Sequence, residues 1–348
     1  MEFYNKTDSD NKKTEFQITL VTGVYKNSYT VSGDDNTEVR AEITGNLQHK
    51  AETPLDYPTV GDKVCVQIFN NDFAVIHKII PRKSALLRKM AGKKISMQLI
   101  AANVDTAFII QSLDSDFNLR RIERYLAIVN EGNIQPVILL SKSDLIPKDE
   151  IVNKISSILA FMPELKVIPF SNSTRYNFKS ITDLFVTGKI YCLLGSSGVG
   201  KTTLINRLCG VDIFKTQTLR KIGKGRHTTT SRQLIYLANG SMIIDTPGMR
   251  ELGIVNIQSG IENTFEEIAL LAKKCRFNNC SHTSEKGCAV LEALKQGKLP
   301  AERYENYIKM KKESDYYEMS YVEKRRKDRK LGKFYRNVLK GNLKTKRW

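Results

Sequence analysis

At 348 residues, 41% of them hydrophobic, the chain is long enough for two or three domains with real cores. No apolar run approaches the roughly 20 residues of a membrane span, and polar Met1 to Asn11 lacks a signal peptide's apolar stretch, so a soluble, cytosolic protein is expected. Lys and Arg number 55 against 37 Asp and Glu, a net charge of +18; with no amphipathic apolar face beside it, that excess points away from membranes and towards nucleic acid or a ribonucleoprotein.

Residues 1–15 carry no periodicity and read as a flexible extension. From 16 to 82 short alternating runs follow one another at 18–21, 29–31, 39–43, 63–68 and 73–76, separated by turn signals such as Ser32-Gly33-Asp34-Asp35-Asn36. Five short strands predict a small barrel, either an RNA-binding oligonucleotide-binding fold or an SH3-like one. Pro81-Arg82-Lys83 reads as a boundary, and strands and helices alternate beyond it. Strands are predicted at 107–110, 137–140, 166–170, 190–194 and 242–244, with helices at 119–130, 148–161 and 201–209. Apolar strands alternating with helices predict a parallel sheet covered on both faces over residues 83–262. Residues 263–348 read as helical around a cysteine cluster and end in a basic arm, with twelve Lys or Arg between Tyr321 and Trp348. From about Arg303 that arm has helix formers with Tyr304, Tyr307 and Ile308 along one side, read either as an RNA contact or as a solvated helix. No coiled-coil repeat is present, and a monomer is expected.

Gly195-Ser196-Ser197-Gly198-Val199-Gly200-Lys201-Thr202 matches the P-loop pattern at every fixed position, with Thr203 next, a strand before it and a helix after it. Glycines let the backbone amides turn towards phosphates and the helix N-terminus adds its positive end. Lys201 is expected on the β- and γ-phosphates and the Thr202 hydroxyl on Mg²⁺. A second strand ends in Asp245-Thr246-Pro247-Gly248. Asp245 is placed to support the Mg²⁺ site, and the Gly248 amide to sense the γ-phosphate.

Ser141-Lys142-Ser143-Asp144, after the strand at 137–140, resembles the Asn-Lys-x-Asp guanine motif of translation-factor GTPases. Asp144 would accept from the guanine edge and the Lys142 stem would lie over the ring, with Ser141 in place of Asn. Ser171-Asn172 resembles the Ser-Ala motif that backs the base, with Asn172 in place of Ala. Both base motifs precede the P-loop, which reverses the usual order and marks a circular permutation of the GTPase domain. Lys221 to Thr230 reads as the switch loop, with Thr229 or a neighbour completing the Mg²⁺ shell. Met249 occupies the place of the water-orienting Gln, so intrinsic hydrolysis is expected to be slow, with His227 as the candidate to place the water.

Cys275, Cys280, His282 and Cys288 offer three thiolates and an imidazole within 14 residues, a closed tetrahedral set suited to one structural zinc ion. Lys273, Lys274 and Arg276 beside them suit docking on RNA. Cys65, Cys192 and Cys209 sit among apolar residues and read as ordinary buried thiols. From the residues alone a GTP hydrolase, a nucleotide-gated RNA-binding module with negligible hydrolysis and an ATP-using nucleic-acid enzyme all stay open.

Ala102-Asn103-Val104-Asp105, the permuted motif order, Gly225-Arg226-His227-Thr228-Thr229-Thr230 and the cluster ending Gly287-Cys288-Ala289-Val290 together resemble the RsgA or YjeQ family of circularly permuted GTPases. The resemblance spans about residues 16 to 300, and Ser141 and Asn172 are its departures. It implies an oligonucleotide-binding barrel, a GTPase domain and a zinc domain, all engaging the 30S ribosomal subunit and its 16S rRNA. It also implies a role in late subunit maturation, with hydrolysis of GTP to GDP stimulated by the subunit.

Overall fold

The structure, a computed structural model, describes residues 16–26, 28–33, 37–69, 72–89, 97–210, 232–245 and 257–318, with the side chains of Lys89, Arg232, Asp245 and Glu318 left out. It divides into two units, Met1–Gly253 and Ile254–Trp348. The first begins with β1 (Phe16–Val24), β2 (Tyr29–Ser32), β3 (Glu38–Ile43), the short helix α1 (Gly45–Lys50), β4 (Lys63–Phe69) and β5 (Phe73–Ile79). They pair in the order β1-β2-β3-β5-β4, and β4 returns to β1 to close a five-stranded barrel. Period-two burial fills it: along β3, Val39 and Ala41 point inward while Glu38, Arg40 and Glu42 face outward. Val21, Val31, Val64, Val66 and Ile76, all 0% exposed, complete the barrel core.

Next comes a hairpin of β6 (Ala85–Lys89) and β7 (Met97–Ala102), which among the described residues pair only with each other. Sequence patterning does not show it, because Leu99 to Ala102 are buried in succession and the alternation that marks a half-buried strand is lost. The α/β region follows as β8 (Thr106–Ser112), α2 (Leu119–Glu131), β9 (Gln135–Ser141), α3 (Lys148–Leu159), β10 (Val167–Pro169), α4 (Phe178–Thr182), β11 (Ile190–Leu194), α5 (Lys201–Cys209), β12 (Arg232–Tyr236) and β13 (Met242–Asp245). Helix α2 shows the amphipathic logic: Ile122, Tyr125, Leu126 and Val129 bury one stripe, and the Asn118 side chain caps its first turn.

The sheet runs β10-β9-β8-β11-β13-β12, with every neighbouring pair parallel except β13 and β12. The expected all-parallel sheet is therefore mixed. The reason lies one strand further on. β12 also pairs antiparallel with β1, Gly23 opposite Gln233 and Val24 opposite Arg232, so the barrel and the α/β sheet share eleven hydrogen-bonded strands. From the adjoining pair β8 and β11 the chain winds outward in opposite directions, which opens a crevice at their carboxyl ends.

Two polar ties secure the barrel to the hairpin beside it. Asp62 is 0% exposed and takes both Nε (2.8 Å) and Nη2 (2.9 Å) of Arg82, whose guanidinium also donates to the carbonyls of Leu55 and Tyr57. Asn103, in the left-handed region at φ 54°, donates from Nδ2 to the Gly61 carbonyl and accepts from the Lys83 amide.

The second unit holds α6 (Gln258–Thr264), α7 (Glu266–Ala272), α8 (Ala289–Lys295) and the 18-residue α9 (Ala301–Glu318). Here the expectation of a basic arm starting at Arg303 is corrected. Arg303 is 4% exposed, gripped by the Glu267 carboxylate and the Thr264 carbonyl, and lies over the Phe265 ring. Its charge is used inside the unit, so this stretch of α9 is packing structure. Residues 319–348, with the rest of the arm, lie outside the described residues, as do 1–15. Among the described residues no helix is long and apolar enough to cross a membrane.

Removing one partner of a buried ion pair leaves the other uncompensated. Arg82→Met is expected to lower the stability of the first unit by about 3 kcal/mol, measured as a shift in its urea unfolding free energy.

Candidate functional site

Parallel pairing of β9, β8 and β11 sets the ends of β9 and β11 on either side of the end of β8. The P-loop follows β11 and the candidate base motif follows β9, so both lie along the crevice edge. Gly195 makes the sharp exit from β11 at φ 149°; a Cβ there would meet the Ile110 carbonyl at 2.3 Å, so only glycine fits. Gly200 (φ 94°) precedes α5, and the side chain of Asn172 sits where its Cβ would be, 2.6 Å away. Lys201 opens α5 and its ammonium donates to the carbonyls of Gly195 (2.8 Å) and Ser196 (2.6 Å), arched over the loop that its sequence position predicts it to serve. Ser197 and Gly198 are exposed at the tip, Val199 is buried beneath it, and Thr202 and Thr203 lie in the first turn of α5.

The base motif is fastened to this loop. Ser141 is 0% exposed and its hydroxyl donates to the Val199 carbonyl at 2.7 Å. Ser141, which stands in place of the motif's Asn, spends its one donor on the P-loop backbone. Asn172 does a parallel job from the other side, its Nδ2 donating to the Gly200 carbonyl at 3.1 Å. The two departures from the family pattern both join base loops to phosphate loop. Ser143 donates its amide to the Phe170 carbonyl (3.1 Å), which ties the ends of β9 and β10 together.

Asp144 is exposed at the rim. Hydrogen bonds from Ser171 and Ser173 hold its carboxyl below the usual carboxylate range, so it stays an acceptor at neutral pH. Ser171 is itself fully buried and accepts the amides of Ser173 and Thr174, which shapes the loop behind Asp144.

Sequence reasoning missed a third loop. After β8, Asp114 accepts from the Lys142 ammonium at 2.6 Å, and Asp116 accepts from the Ser196 hydroxyl (2.9 Å) and Arg121 (2.6 Å). The Lys142 ammonium lowers the Asp114 pKa to about 2. The available signal was two aspartates at alternate positions just past the carboxyl end of a parallel strand, where ligand loops gather. Asp105 belongs to the same frame: it accepts from the Ile190 amide and from Lys189, anchoring the start of β11.

His227, Thr229, Gly248 and Met249, with the whole segment 211–231, lie outside the described residues; Asp245 is described only as the last residue of β13.

In the second unit Cys275, Cys280, His282 and Cys288 converge, with their ligand atoms all within 4.8 Å of one another. Three of the pairs are closer: Cys275 Sγ to Cys288 Sγ 3.8 Å, Cys275 Sγ to His282 Nδ1 3.6 Å and Cys288 Sγ to His282 Nδ1 3.5 Å. A tetrahedron with metal–sulfur bonds of about 2.3 Å has edges of about 3.8 Å, so the donor set fits a metal ion of that size. Burial opposes ionisation of Cys275, but hydrogen bonds from the Ala289 and Val290 amides at the start of α8 and from the Cys288 and Cys280 thiols together outweigh it and lower its pKa. His282 adopts φ 60°, and its carbonyl is held by the Tyr304 hydroxyl at 2.7 Å, which joins the knuckle to α9. Lys273, Lys274 and Arg276 are exposed beside it, Arg276 over the Phe277 ring. Of the other thiols, Cys192 is fully buried, and Cys65 and Cys209 are partly so.

Comparison with known proteins places this frame. The family model described as RsgA GTPase matches residues 79–255. The small ribosomal subunit biogenesis GTPase RsgA 2 of Lactiplantibacillus plantarum is 44% identical over 280 residues, 80% of this chain and 78% of its own. RsgA 1 of Bacteroides thetaiotaomicron is 37% identical over 340 residues, 97% of this chain and 94% of its own. Among solved structures, YjeQ from Thermotoga maritima superposes with a TM-score of 0.62 at 24% identity, covering 85% of this chain and 97% of its own. YloQ, a circularly permuted GTPase, gives 0.61 at 23%, covering 88% and 98%; these two likenesses bear on the fold alone. With the P-loop, the base-motif loop and the cysteine cluster each in place, the chain belongs to the RsgA GTPase family.

Proposed function

We infer that this protein hydrolyses GTP to GDP and phosphate in the biogenesis of the small ribosomal subunit, and that it acts in the cytoplasm as a monomer docked on the 30S particle and its 16S rRNA. One observation carries the guanine assignment. The loop with Asp144 is fastened to the P-loop through Ser141 and Asn172, so a base held at the first stands at a fixed distance from phosphates held at the second. An ionised carboxylate at the rim accepts from the N1–H and N2 amino group of guanine, whereas adenine offers no N1–H. The P-loop amides from 195 to 203 cradle the phosphates, Lys201 neutralises the β- and γ-oxygens, and Thr202 is the residue to ligate Mg²⁺. Bound there, the ion would spread the charge that develops on those oxygens.

Met249 has no group to orient water, so hydrolysis waits on another group to place it, with His227 of the switch loop as the candidate and Thr229 or a neighbour to complete the Mg²⁺ shell. Asp245 ends β13, the strand that pairs beside the P-loop strand, and Gly248 comes three residues later in the sequence. A net charge of +18, the barrel and the exposed bases beside the cysteine cluster support a role for rRNA in docking. Timing hydrolysis by the subunit would make the GTP state the docked one and late maturation the step it serves.

Purified protein is expected to turn GTP over slowly alone and more than about tenfold faster with purified 30S particles, read as released phosphate; no stimulation would sink the subunit-timed reading. Labelled GTP binding should resist competition by ATP, and Lys201→Ala should abolish hydrolysis.

We further propose that the Cys275, Cys280, His282 and Cys288 site holds one structural zinc ion. Metal analysis should then find one equivalent per chain, and Cys288→Ser should lose it together with helical circular dichroism from α8 and α9. Full helicity without metal would contradict the structural role.

A further inference from the structure

The loop between β8 and α2 reaches both halves of the nucleotide site within three residues. Asp114 is oriented before it meets its partner: Oδ1 accepts from the Ser112 hydroxyl (2.8 Å) and from the Asp116 amide (3.0 Å). That leaves Oδ2 for the Lys142 ammonium, 2.6 Å away. Lys142 needs such a hold. Its backbone is left-handed, φ 60° and ψ 36°, a conformation that a residue with a long side chain adopts at a cost of about 1 kcal/mol or more. Its neighbours Ser141 and Ser143 are pinned by Val199 and Phe170, so the main chain is fixed on both sides and Asp114 fixes the far end of the side chain. The pair is only partly exposed, at 35% for the Lys142 side chain and 26% for Asp114, so solvent does not erase the attraction.

Two residues on, Asp116 accepts from Ser196 of the P-loop and from Arg121, and Arg121 also donates to the Ser196 hydroxyl at 3.1 Å. One short loop thus grips the base motif with one carboxylate and the phosphate loop with the next. A lysine whose ammonium is tied at its far end carries a stem with few remaining rotamers, which favours one place over the ring.

We propose that Asp114 is a positioning residue for guanine-nucleotide binding, holding the Lys142 side chain in the pose in which its stem covers the base. The proposal rests on assigning Ser141 to Asp144 as the base motif. Asp114 touches no nucleotide in this scheme; it acts through Lys142 alone.

A double-mutant cycle on the full-length protein tests it, with a fluorescent GDP analogue as the probe. Asp114→Asn keeps the shape and the Asp116 amide bond but removes the charge, and is expected to weaken GDP binding about tenfold. Lys142→Met should weaken it by a similar factor, and the double variant should bind no worse than Lys142→Met alone. In Asp114→Asn, turnover at saturating GTP should stay within about twofold of wild type, since the interaction serves ground and transition states alike. Asp114→Glu should recover most of the affinity, which a purely structural loop residue would not require. Asp116→Ala, which leaves the Asp114 carboxylate in place, should combine with Lys142→Met multiplicatively. Losses that multiply between Asp114 and Lys142, or unchanged binding in Asp114→Asn, would overturn the proposal. Competition of the wild-type complex by ADP separates the two levels: equal displacement by ADP and GDP defeats the base-motif assignment itself, whereas a guanine preference with no Asp114–Lys142 coupling defeats only the positioning role.

Discussion

Parallel pairing of β9, β8, β11 and β13 is the constraint on which the site depends. Each pair shares its direction, so every strand delivers its carboxyl-terminal loop to the same edge, and the loops meet because the strands beneath them are hydrogen-bonded neighbours. The P-loop, the base-motif loop, the Asp114 loop and the end of β13 at Asp245 are four such exits. Their chemistry differs; their placement has one cause. Continuous apolar burial makes the edge rigid, with Ala107, Phe108, Ile109, Leu139 and Leu194 nearly or wholly inaccessible.

Loops delivered to one edge still have to be locked to each other, and short side chains do it here. Ser141 and Asn172 each donate to a P-loop carbonyl, of Val199 and of Gly200. Both are departures from the usual motif letters: Ser141 keeps a hydrogen-bond donor where the motif has Asn, and Asn172 adds one where it has Ala. Ser141 is the shorter donor and reaches Val199 because the loops sit close. The substitution therefore alters how the frame is fastened, while the motif's carboxylate, Asp144, is retained and exposed at the rim.

Sheet continuity gives the barrel a direct mechanical relation to the same machinery. β12 pairs with β13 on one side and with β1 on the other, and the Gln233 side chain donates to the Tyr25 hydroxyl. β12, which lies between the P-loop helix and β13 in sequence, is thus joined to the barrel through backbone hydrogen bonds. The buried Asp62–Arg82 pair and Asn103 stiffen the adjoining hairpin, so displacement of β12 would have to carry the barrel with it or break the pairing.

Much of this was legible in order along the chain. Local rules sufficed wherever a residue's role depends on its immediate neighbours: period-two alternation for the barrel strands, apolar runs for β8, β9 and β11, glycine and lysine spacing for the P-loop, and cysteine spacing for the metal knuckle. Motif order alone announced the permutation, since order is a property of sequence. What the sequence could not carry were relations between distant residues. The β6–β7 hairpin has no period because both faces of β7 are covered; Arg303 reads as a surface cation until Glu267 and Thr264 close on it, 36 and 39 residues away. Asp114 reads as a loop aspartate until Lys142 reaches it across 28 residues. Spacing in sequence determined which chemistry the chain possesses; the sheet, by choosing neighbours through hydrogen bonding and burial, decided which of those groups act on one another.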